Sequence, residues 1–223
     1  MDQILRGRQD WQASIASALA RVPRPIPVDP RFTPRVRSVS GPPPTLAEPP
    51  RQASTLLLIA PGADGELVVP LTLRHAELRA HAGEVSLPGG AVDPTDASRE
   101  AAALREAWEE IALPPDSVNV AGALDDIWIP VSNFELRPFV ATSPVRPDLH
   151  PQASEVAAIL ELPLRLLLTD AIVAEEEFSG PGWQIHAAAY RYAGQRIWGA
   201  TARALAMFAT VLREAGGSQP PGS

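Results

Sequence analysis

Residues Pro88 to Leu113 read PGGAVDPTDASREAAALREAWEEIAL, and this stretch decides the fold. A Gly-Gly turn leads through an acidic loop that contains a proline into a segment rich in alanine. The three alanines at 101–103 favour helix strongly, and Thr95 or Asp96 can cap the N-terminus of that helix. The stretch therefore predicts a turn, an acidic loop and then a helix.

The predicted helix has two chemically different faces. At about 100° per residue, one stripe of roughly a quarter turn contains the apolar side chains of Leu104, Ala107, Trp108 and Ile111. The side chains of Glu106, Glu109 and Glu110 fall on the opposite side. The helix therefore has an apolar face for a core and a concentrated anionic face.

Three carboxylates on so short a face repel one another. Arg105 can offset only part of their charge, through its i,i+4 approach to Glu109. A solvated acidic face is the alternative, but it does not explain why the cluster follows a Gly-Gly turn that exposes backbone groups. Mg²⁺ and Mn²⁺ take oxygen ligands and keep waters for substrate phosphates. The pattern favours a site for one of these ions.

Composition narrows the class of protein. The chain has 223 residues and no cysteine, which excludes disulfides, thiol catalysis and Cys-based zinc sites. It contains no apolar run of roughly twenty residues, and its first residues lack the layout of a signal peptide. A net charge of −7 argues against a broad nucleic-acid surface. We expect a cytoplasmic protein, monomeric or homodimeric, that binds a small molecule and neither nucleic acid nor a membrane.

The chain divides into three predicted parts. Residues 1–52 comprise a short amphipathic helix, from Asp10 to Ala20, and a proline-rich arm that wraps the domain or leads into it. Residues 53–215 form the main domain, and residues 216–223 form a flexible tail.

Within the main domain, strands and helices alternate. Two apolar runs separated by the turn Gly62–Gly65 predict a hairpin. Later segments predict further strands, a helix over Leu162–Leu168, and an apolar C-terminal helix. The predicted strands are 54–60, 67–73, 85–87, 118–124, 136–141, 156–160 and a pair near 183–191. Such a mixture predicts an α/β protein, an α/β/α sandwich.

The segment after the Gly-Gly turn resembles the Nudix box, G-x5-E-x7-R-E-U-x-E-E-x-G-U, in which U is aliphatic. The core of the box is present as Arg105-Glu106-Ala107-Trp108-Glu109-Glu110. Asp96 stands in place of the first Glu, and Ala112 stands where Gly is usual. Eight residues, one more than in the box, separate Asp96 from Arg105. This longer loop is similar to that of the coenzyme A pyrophosphatase branch of the superfamily.

A second signature of that branch lies just upstream, roughly LLTxRx4Rx3Gx3FPGG. Here the chain reads PLTLRHAELRAHAGEVSLPGG. It matches the signature at Leu71, Thr72, Arg74, Arg79, Gly83, Pro88, Gly89 and Gly90, with Pro70 for Leu and Leu87 for Phe. The resemblance extends over about residues 53–213 and implies the Nudix fold with a mixed sheet.

The resemblance also implies roles for individual residues. Glu106 and Glu110 would be metal ligands, and Glu109 would be a further ligand, a residue that orients water, or the general base. Arg105 would hold these carboxylates by charge-assisted bonds. The Gly90 carbonyl is a possible ligand, and Gly89 permits backbone close to a metal or phosphate.

Other candidates lie outside the helix. Arg74 and Arg79 are candidate phosphate clamps, because guanidinium groups match phosphate geometry; ordinary surface arginines are the alternative. Glu155 could be the general base or an extra ligand, and a surface Glu is equally compatible. Trp198 and Phe134 are interpreted as core or pocket wall, with adenine stacking as an open alternative.

The reaction implied is Mg²⁺- or Mn²⁺-dependent hydrolysis of coenzyme A or acyl-coenzyme A. The products would be 3′,5′-ADP and (acyl-)4′-phosphopantetheine. A Nudix hydrolase of another diphosphate, such as ADP-ribose or NADH, is one alternative. A catalytically silent Nudix-like nucleotide-binding module is another. The residues leave open the acyl group, the physiological metal, the base and the oligomeric state.

Overall fold

The computed structural model describes residues 10–39, 49–77, 83–180 and 182–216. Arg79 lies outside these ranges. The described α-helices are Trp11–Arg21 (α1), Arg99–Ile111 (α2) and Gly199–Ala215 (α3). Short 3₁₀ helices occur at Pro30–Phe32, Pro115–Ser117 and Leu164–Leu168. No helix in the described ranges is long and apolar enough to span a membrane.

The described strands are numbered in chain order. Those before α2 are Arg35–Val39 (β1), Arg51–Pro61 (β2), Leu67–Arg74 (β3), Val85–Ser86 (β4) and Gly89–Ala91 (β5). Those after α2 are Asn119–Ala123 (β6), Ile127–Ile129 (β7), Phe134–Thr142 (β8) and Val156–Pro163 (β9). The last three are Val173–Gly180 (β10), Trp183–Tyr192 (β11) and Gln195–Ile197 (β12).

The strands form two sheets within the described residues. The larger is mixed: β2 runs parallel to β8 and antiparallel to β3 and β5, and its main order is β4-β3-β2-β8-β6. Strand β9 adds to β3, and β7 adds to β8. In the smaller sheet, β11 pairs with β1, β10 and β12. The predicted hairpin is confirmed, since Ala60 pairs with Val68 and Pro61 with Leu67.

Both faces of the larger sheet are covered, and β2 shows this best. Leu56 and Leu58 pack in a cluster with residues of α2, whereas Leu57 and Ile59 pack with residues of α1 and α3. A strand buried on both faces must be apolar at successive positions, which explains the run from Leu56 to Ala60. The α/β/α sandwich with a mixed sheet is confirmed.

Helix α1 is part of this core. Ile15 and Ala18 are fully buried in the same apolar cluster as Phe208 of α3. The proline-rich arm that follows α1 is also held to the fold, because its segment Arg35–Val39 pairs with β11. The proposed division into an N-terminal part, residues 1–52, and a main domain remains a prediction.

Three local predictions were wrong. Residues Leu162 and Pro163 end strand β9, so only Leu164–Leu168 is helical, as a 3₁₀ helix. The N-cap of α2 is Ser98, whose hydroxyl accepts a hydrogen bond from the N–H of Ala101 over 3.0 Å. Trp108 was expected in the core but is 51% exposed.

Candidate functional site

Helix α2 places two carboxylates against strand β5. Glu110 is buried, with its side chain only 6% exposed, and its Oε2 accepts a hydrogen bond from the N–H of Gly89 over 3.2 Å. The carboxylate of Glu106 lies beside Gly90. A Cβ built on Gly90 would be 2.6 Å from the carboxyl carbon of Glu106. The helix therefore approaches the glycines of β5 as closely as their lack of side chains permits.

Position 89 requires glycine because of both its backbone conformation and the atoms around it. Its φ is 156°, and an added Cβ would lie 2.3 Å from the carbonyl oxygen of Ser54. Gly89 and Gly90 pair with Thr55 and Ser54 of β2, so the Gly-Gly segment is held to the central strand of the larger sheet. The glycines thus give α2 a close and fixed backbone surface.

Arg105 connects the acidic loop to the carboxylates. Its Nε and Nη2 each donate to the carboxylate of Asp96 over 3.0 Å. Its Nη1 donates to Glu106 and to Glu109, both over 2.9 Å. The sequence interpretation anticipated the contact with Glu109 but missed Asp96 as the main partner. The substitution of Asp for the usual Glu of the box was the available signal.

Arg74 lies at the end of β3 and faces Glu110. Its Nη1 is 3.4 Å from Oε1 of Glu110, and its Nη2 is 3.8 Å from Oε2 of Glu155. The N–H of His75 donates to the carbonyl oxygen of Glu155 over 3.1 Å, which fixes the start of β9 beside the end of β3. Arg74, Glu110 and Glu155 are therefore neighbours, although they come from three separate segments.

Burial dominates the electrostatics of the two inner carboxylates. Desolvation raises the pKa of Glu110 to about 7, despite the opposing effects of the Gly89 N–H and of Arg74. Desolvation also raises the pKa of Glu106, against its hydrogen bond with Arg105. The negative charge of Glu155 adds to both shifts. A cation bound to these groups would offset the free-energy cost of burying their charges and would reduce their mutual repulsion.

The donor set fits a hard divalent cation in part. Within the described ranges, no three Asp, Glu or His side chains converge as a complete ligand group. Glu106 and Glu110 nevertheless supply carboxylate oxygens on one side of a glycine surface that no Cβ obstructs. Mg²⁺ commonly uses one or two carboxylates and completes its octahedron with waters and substrate phosphates. Two carboxylates, one of them beside Arg74, suit that kind of ion.

The remaining predicted site residues lie apart from this group. The side chain of Glu109 is 55% exposed and pairs with Arg105. Trp198 stacks on Phe178, with 4.5 Å between ring centroids, and the guanidinium of Arg51 lies over the ring of Phe134.

A cavity of about 700 Å³ opens at the far ends of β3 and β9, next to Arg146. It is separate from the Glu106–Glu110 pair.

Comparison with known proteins assigns the central part of the chain to a family. The family model described as the NUDIX domain matches residues 50–183. The uncharacterized Nudix hydrolases NudL of Citrobacter koseri and Cronobacter sakazakii are 50% and 49% identical to the chain over 116 residues. The match covers 51% of this chain and 58% of each relative, so the chain spans little more than half of their length.

Solved structures give lower similarity. A Nudix hydrolase from M. smegmatis, RenU, is 22% identical with a TM-score of 0.45, covering 58% of this chain and 79% of that one. A MutT/nudix family protein from Enterococcus faecalis is 15% identical with a TM-score of 0.47, covering 76% of this chain and 62% of that one.

Proposed function

The chain belongs to the Nudix family, and from that membership we propose that it is a metal-dependent pyrophosphohydrolase of coenzyme A or acyl-coenzyme A. Water attacks one phosphorus of the diphosphate, and the products are 3′,5′-ADP and (acyl-)4′-phosphopantetheine. The proposal includes Mg²⁺ or Mn²⁺ as the cofactor, a cytoplasmic location and a monomeric or homodimeric enzyme.

One observation supports the phosphate-containing substrate above others. The guanidinium of Arg74 lies 3.4 Å from the buried carboxylate of Glu110, which shares a helix face with the half-buried Glu106. A diphosphate that shares a cation with those carboxylates would lie within reach of Arg74, and guanidinium groups pair well with phosphate oxygens. The register of Arg74 with the Gly-Gly turn is also the feature that resembles the coenzyme A pyrophosphatase branch.

Each residue of the site then has a part in hydrolysis. Glu106 and Glu110 hold the cation, and Gly89 and Gly90 let it and the diphosphate approach the backbone. Arg105 fixes Glu106 through the hydrogen bond between them. Arg74 orients the diphosphate. Glu155 is the better placed of the two candidate bases, because Arg74 lies 3.8 Å from it and 3.4 Å from Glu110, whereas Glu109 pairs with Arg105.

A cation held by Glu106 and Glu110 would neutralise charge at the diphosphate and lower the pKa of the attacking water. The protein excludes bulk water from Glu110 and keeps both carboxylates in a fixed place before substrate binds. Losing one of these ligands should slow hydrolysis by roughly a thousandfold, since preorganised electrostatic contacts of this kind contribute several kcal/mol to catalysis.

The test is incubation with coenzyme A and either Mg²⁺ or Mn²⁺, with detection of 3′,5′-ADP. We expect turnover by the wild type and a loss of roughly a thousandfold in Glu106→Gln and Glu110→Gln. Glu100→Gln is the matched control, because Glu100 is an exposed glutamate in the first turn of the same helix. Absence of 3′,5′-ADP with the wild type, or full activity in both ligand variants, would refute the proposal.

A substrate panel separates the alternatives. Turnover of ADP-ribose or NADH in place of coenzyme A would identify a Nudix hydrolase of another diphosphate. Binding of a nucleotide without turnover of any panel member would identify a silent nucleotide-binding module. In Arg74→Met, we expect the KM for coenzyme A to rise while the fold is retained, because the variant removes a phosphate contact and keeps the apolar part of the side chain.

A further inference from the structure

Arg99, the first residue of α2, has an unusually buried guanidinium for a helix N-terminus. Its side chain is 12% exposed. Its Nη2 donates to the carbonyl oxygens of Ala53 on β2, over 3.0 Å, and of Glu135 on β8, over 2.9 Å. Its Nη1 is 3.2 Å from the carboxylate of Glu135 and 3.4 Å from that of Asp126. One side chain thus joins α2 to both strands of the parallel pair.

The residues that Arg99 grips are next to the glycines of the site. Ala53 pairs with Ala91, and the following residue of β2, Ser54, pairs with Gly90. Glu135 lies opposite Gln52 on the other side of β2. Arg99 is therefore anchored to the same stretch of β2 that holds β5 in place.

Arg99 also shares a helical face with the two inner carboxylates. At about 100° per residue, positions 99, 106 and 110 fall within about 40° of one another around α2. Between them the same face presents Ala102 and Ala103, which are fully buried and small enough to let the helix lie close to the sheet. Arg99 fixes one end of this face, and Glu106 and Glu110 lie toward the other end, about 10 Å and about 16 Å from Arg99 along the axis.

The carboxylates of Glu106 and Glu110 lie so close to β5 that α2 can move little without disturbing them. The Glu106 carboxylate already lies where a Cβ on Gly90 would be, 2.6 Å from that position. The bond between the Gly89 N–H and Glu110 is 3.2 Å long. A small rotation of α2 about its own axis, or a shift of the helix away from β5, would change both separations.

We propose that Arg99 is a positioning residue for the metal site, holding α2 at the depth and angle over β2 and β8 that bring Glu106 and Glu110 to Gly89 and Gly90. This inference rests on the proposed function, because it assigns to Arg99 the geometry of the same metal site. Arg99 touches neither the cation nor the substrate. It acts through the helix.

The test measures Mn²⁺ binding by the full chain in the absence of substrate, by titration calorimetry. Arg99→Met keeps the length of the side chain and removes all of its hydrogen bonds. We expect Mn²⁺ to bind it about 10- to 100-fold more weakly than the wild type, the range typical when a residue that orients metal ligands is lost. Arg99→Lys should recover only part of the affinity, since an ammonium cannot bridge both carbonyls with the planar fork of Arg.

A matched control separates positioning from general destabilisation. Arg191 forms a bidentate ion pair with Glu176 on the smaller sheet, with N–O distances of 2.6 and 2.7 Å. Arg191→Met should leave Mn²⁺ affinity within twofold of the wild type. With coenzyme A, Arg99→Met should lower kcat per molecule of folded protein while KM stays within about threefold. Urea unfolding supplies the folded fraction, because loss of folded protein alone would also lower the apparent kcat at constant KM.

Unchanged Mn²⁺ affinity in folded Arg99→Met would overturn the inference. If that variant does not fold, Mn²⁺ binding is measured with Glu135→Gln instead. This variant removes one charged partner of Arg99 and should bind Mn²⁺ several-fold more weakly than the wild type. Wild-type affinity in Glu135→Gln would count against the inference. A wild type that binds Mn²⁺ but does not cleave coenzyme A would refute only the proposed substrate. A wild type that binds no Mn²⁺ would refute the metal site and the role of Arg99 together.

Discussion

The backbone N–H of Gly89 donates a hydrogen bond to Oε2 of Glu110, and these two atoms are 3.2 Å apart. The bond joins the Gly-Gly turn to the last turn of α2, so the two ends of the decisive sequence stretch meet at one buried carboxylate. It compensates Glu110 only in part, because desolvation still raises the pKa of this side chain to about 7. The stability of the metal-free protein should therefore depend on pH.

We expect the metal-free protein to lose stability as pH rises from about 5 to about 8. The ordinary pKa of this carboxyl is 4.5 and the folded value is about 7, so between these values the folded state binds more protons than the unfolded state. Stability then falls with rising pH, by at most about 3 kcal/mol, and levels off above the folded pKa. Urea unfolding at pH 5 and pH 8, with chelator present, measures the difference.

Glu110→Gln should remove most of this pH dependence and make the metal-free protein more stable at pH 8. Mg²⁺ should restore stability to the wild type at pH 8 but not to the variant, because only the carboxylate can bind the ion. Glu109→Gln is the matched control, since the side chain of Glu109 is 55% exposed. Equal slopes in the wild type and Glu110→Gln would show that Glu110 does not carry the effect.

Gly90→Ala should abolish metal-dependent activity while the protein still folds. The added methyl would lie 2.6 Å from the carboxylate of Glu106, so the carboxylate must leave its place beside β5. We expect kcat to fall by at least about a hundredfold, comparable to removal of a ligand. Circular dichroism checks that the variant folds, and hydrolysis assays measure its loss of activity. Ala91→Ser, at the exposed neighbouring position, should keep nearly full activity.

Much of this site could be predicted from local sequence. The Gly-Gly turn, the helix and the spacing of its glutamates are all encoded within 26 consecutive residues, from Pro88 to Leu113. Local pattern also predicted the hairpin of β2 and β3, because its apolar runs flank a glycine-rich turn.

Tertiary packing determined what local pattern missed. A helical wheel grouped Trp108 with the apolar side chains and put Glu110 on the opposite side, yet Trp108 is 51% exposed and Glu110 is buried. Glu110 lies against the sheet, where the N–H of Gly89 and the guanidinium of Arg74 contact its carboxylate, and both of these partners belong to other strands. Arg99 was missed for the same reason, since its acceptors are on β2 and β8.

Ala112→Gly should stabilise the protein without changing its activity. Ala112 ends α2 with a φ of 55° and a ψ of 32°, a left-handed conformation that is unfavourable for any residue with a Cβ. Glycine, the usual residue of the box at this position, removes that strain, although it raises the entropy of the unfolded chain. We expect a net gain of about 0.5–1 kcal/mol in the free energy of unfolding.

A second left-handed alanine provides a comparison for this prediction. Ala193 has a φ of 50° in the turn between β11 and β12, far from α2 in sequence. Ala193→Gly should give a gain of similar size in thermal or urea unfolding. A loss of stability in both variants would mean that the conformational strain at these positions is too small to matter.

Ile15→Ala tests whether the N-terminal helix belongs to the folded core. Ile15 is fully buried in the cluster that also contains Leu205 and Phe208 of α3, so the substitution leaves a cavity between α1 and α3. We expect a loss of about 2–5 kcal/mol in the free energy of unfolding, in a single cooperative transition. Gln12→Ala, on a half-buried part of the same helix, removes one hydrogen bond to Thr142 and should cost about 1 kcal/mol. If Ile15→Ala instead left the main transition unchanged, the first 52 residues would be an independent arm. The boundary between them and the Nudix domain would then separate two units that unfold independently.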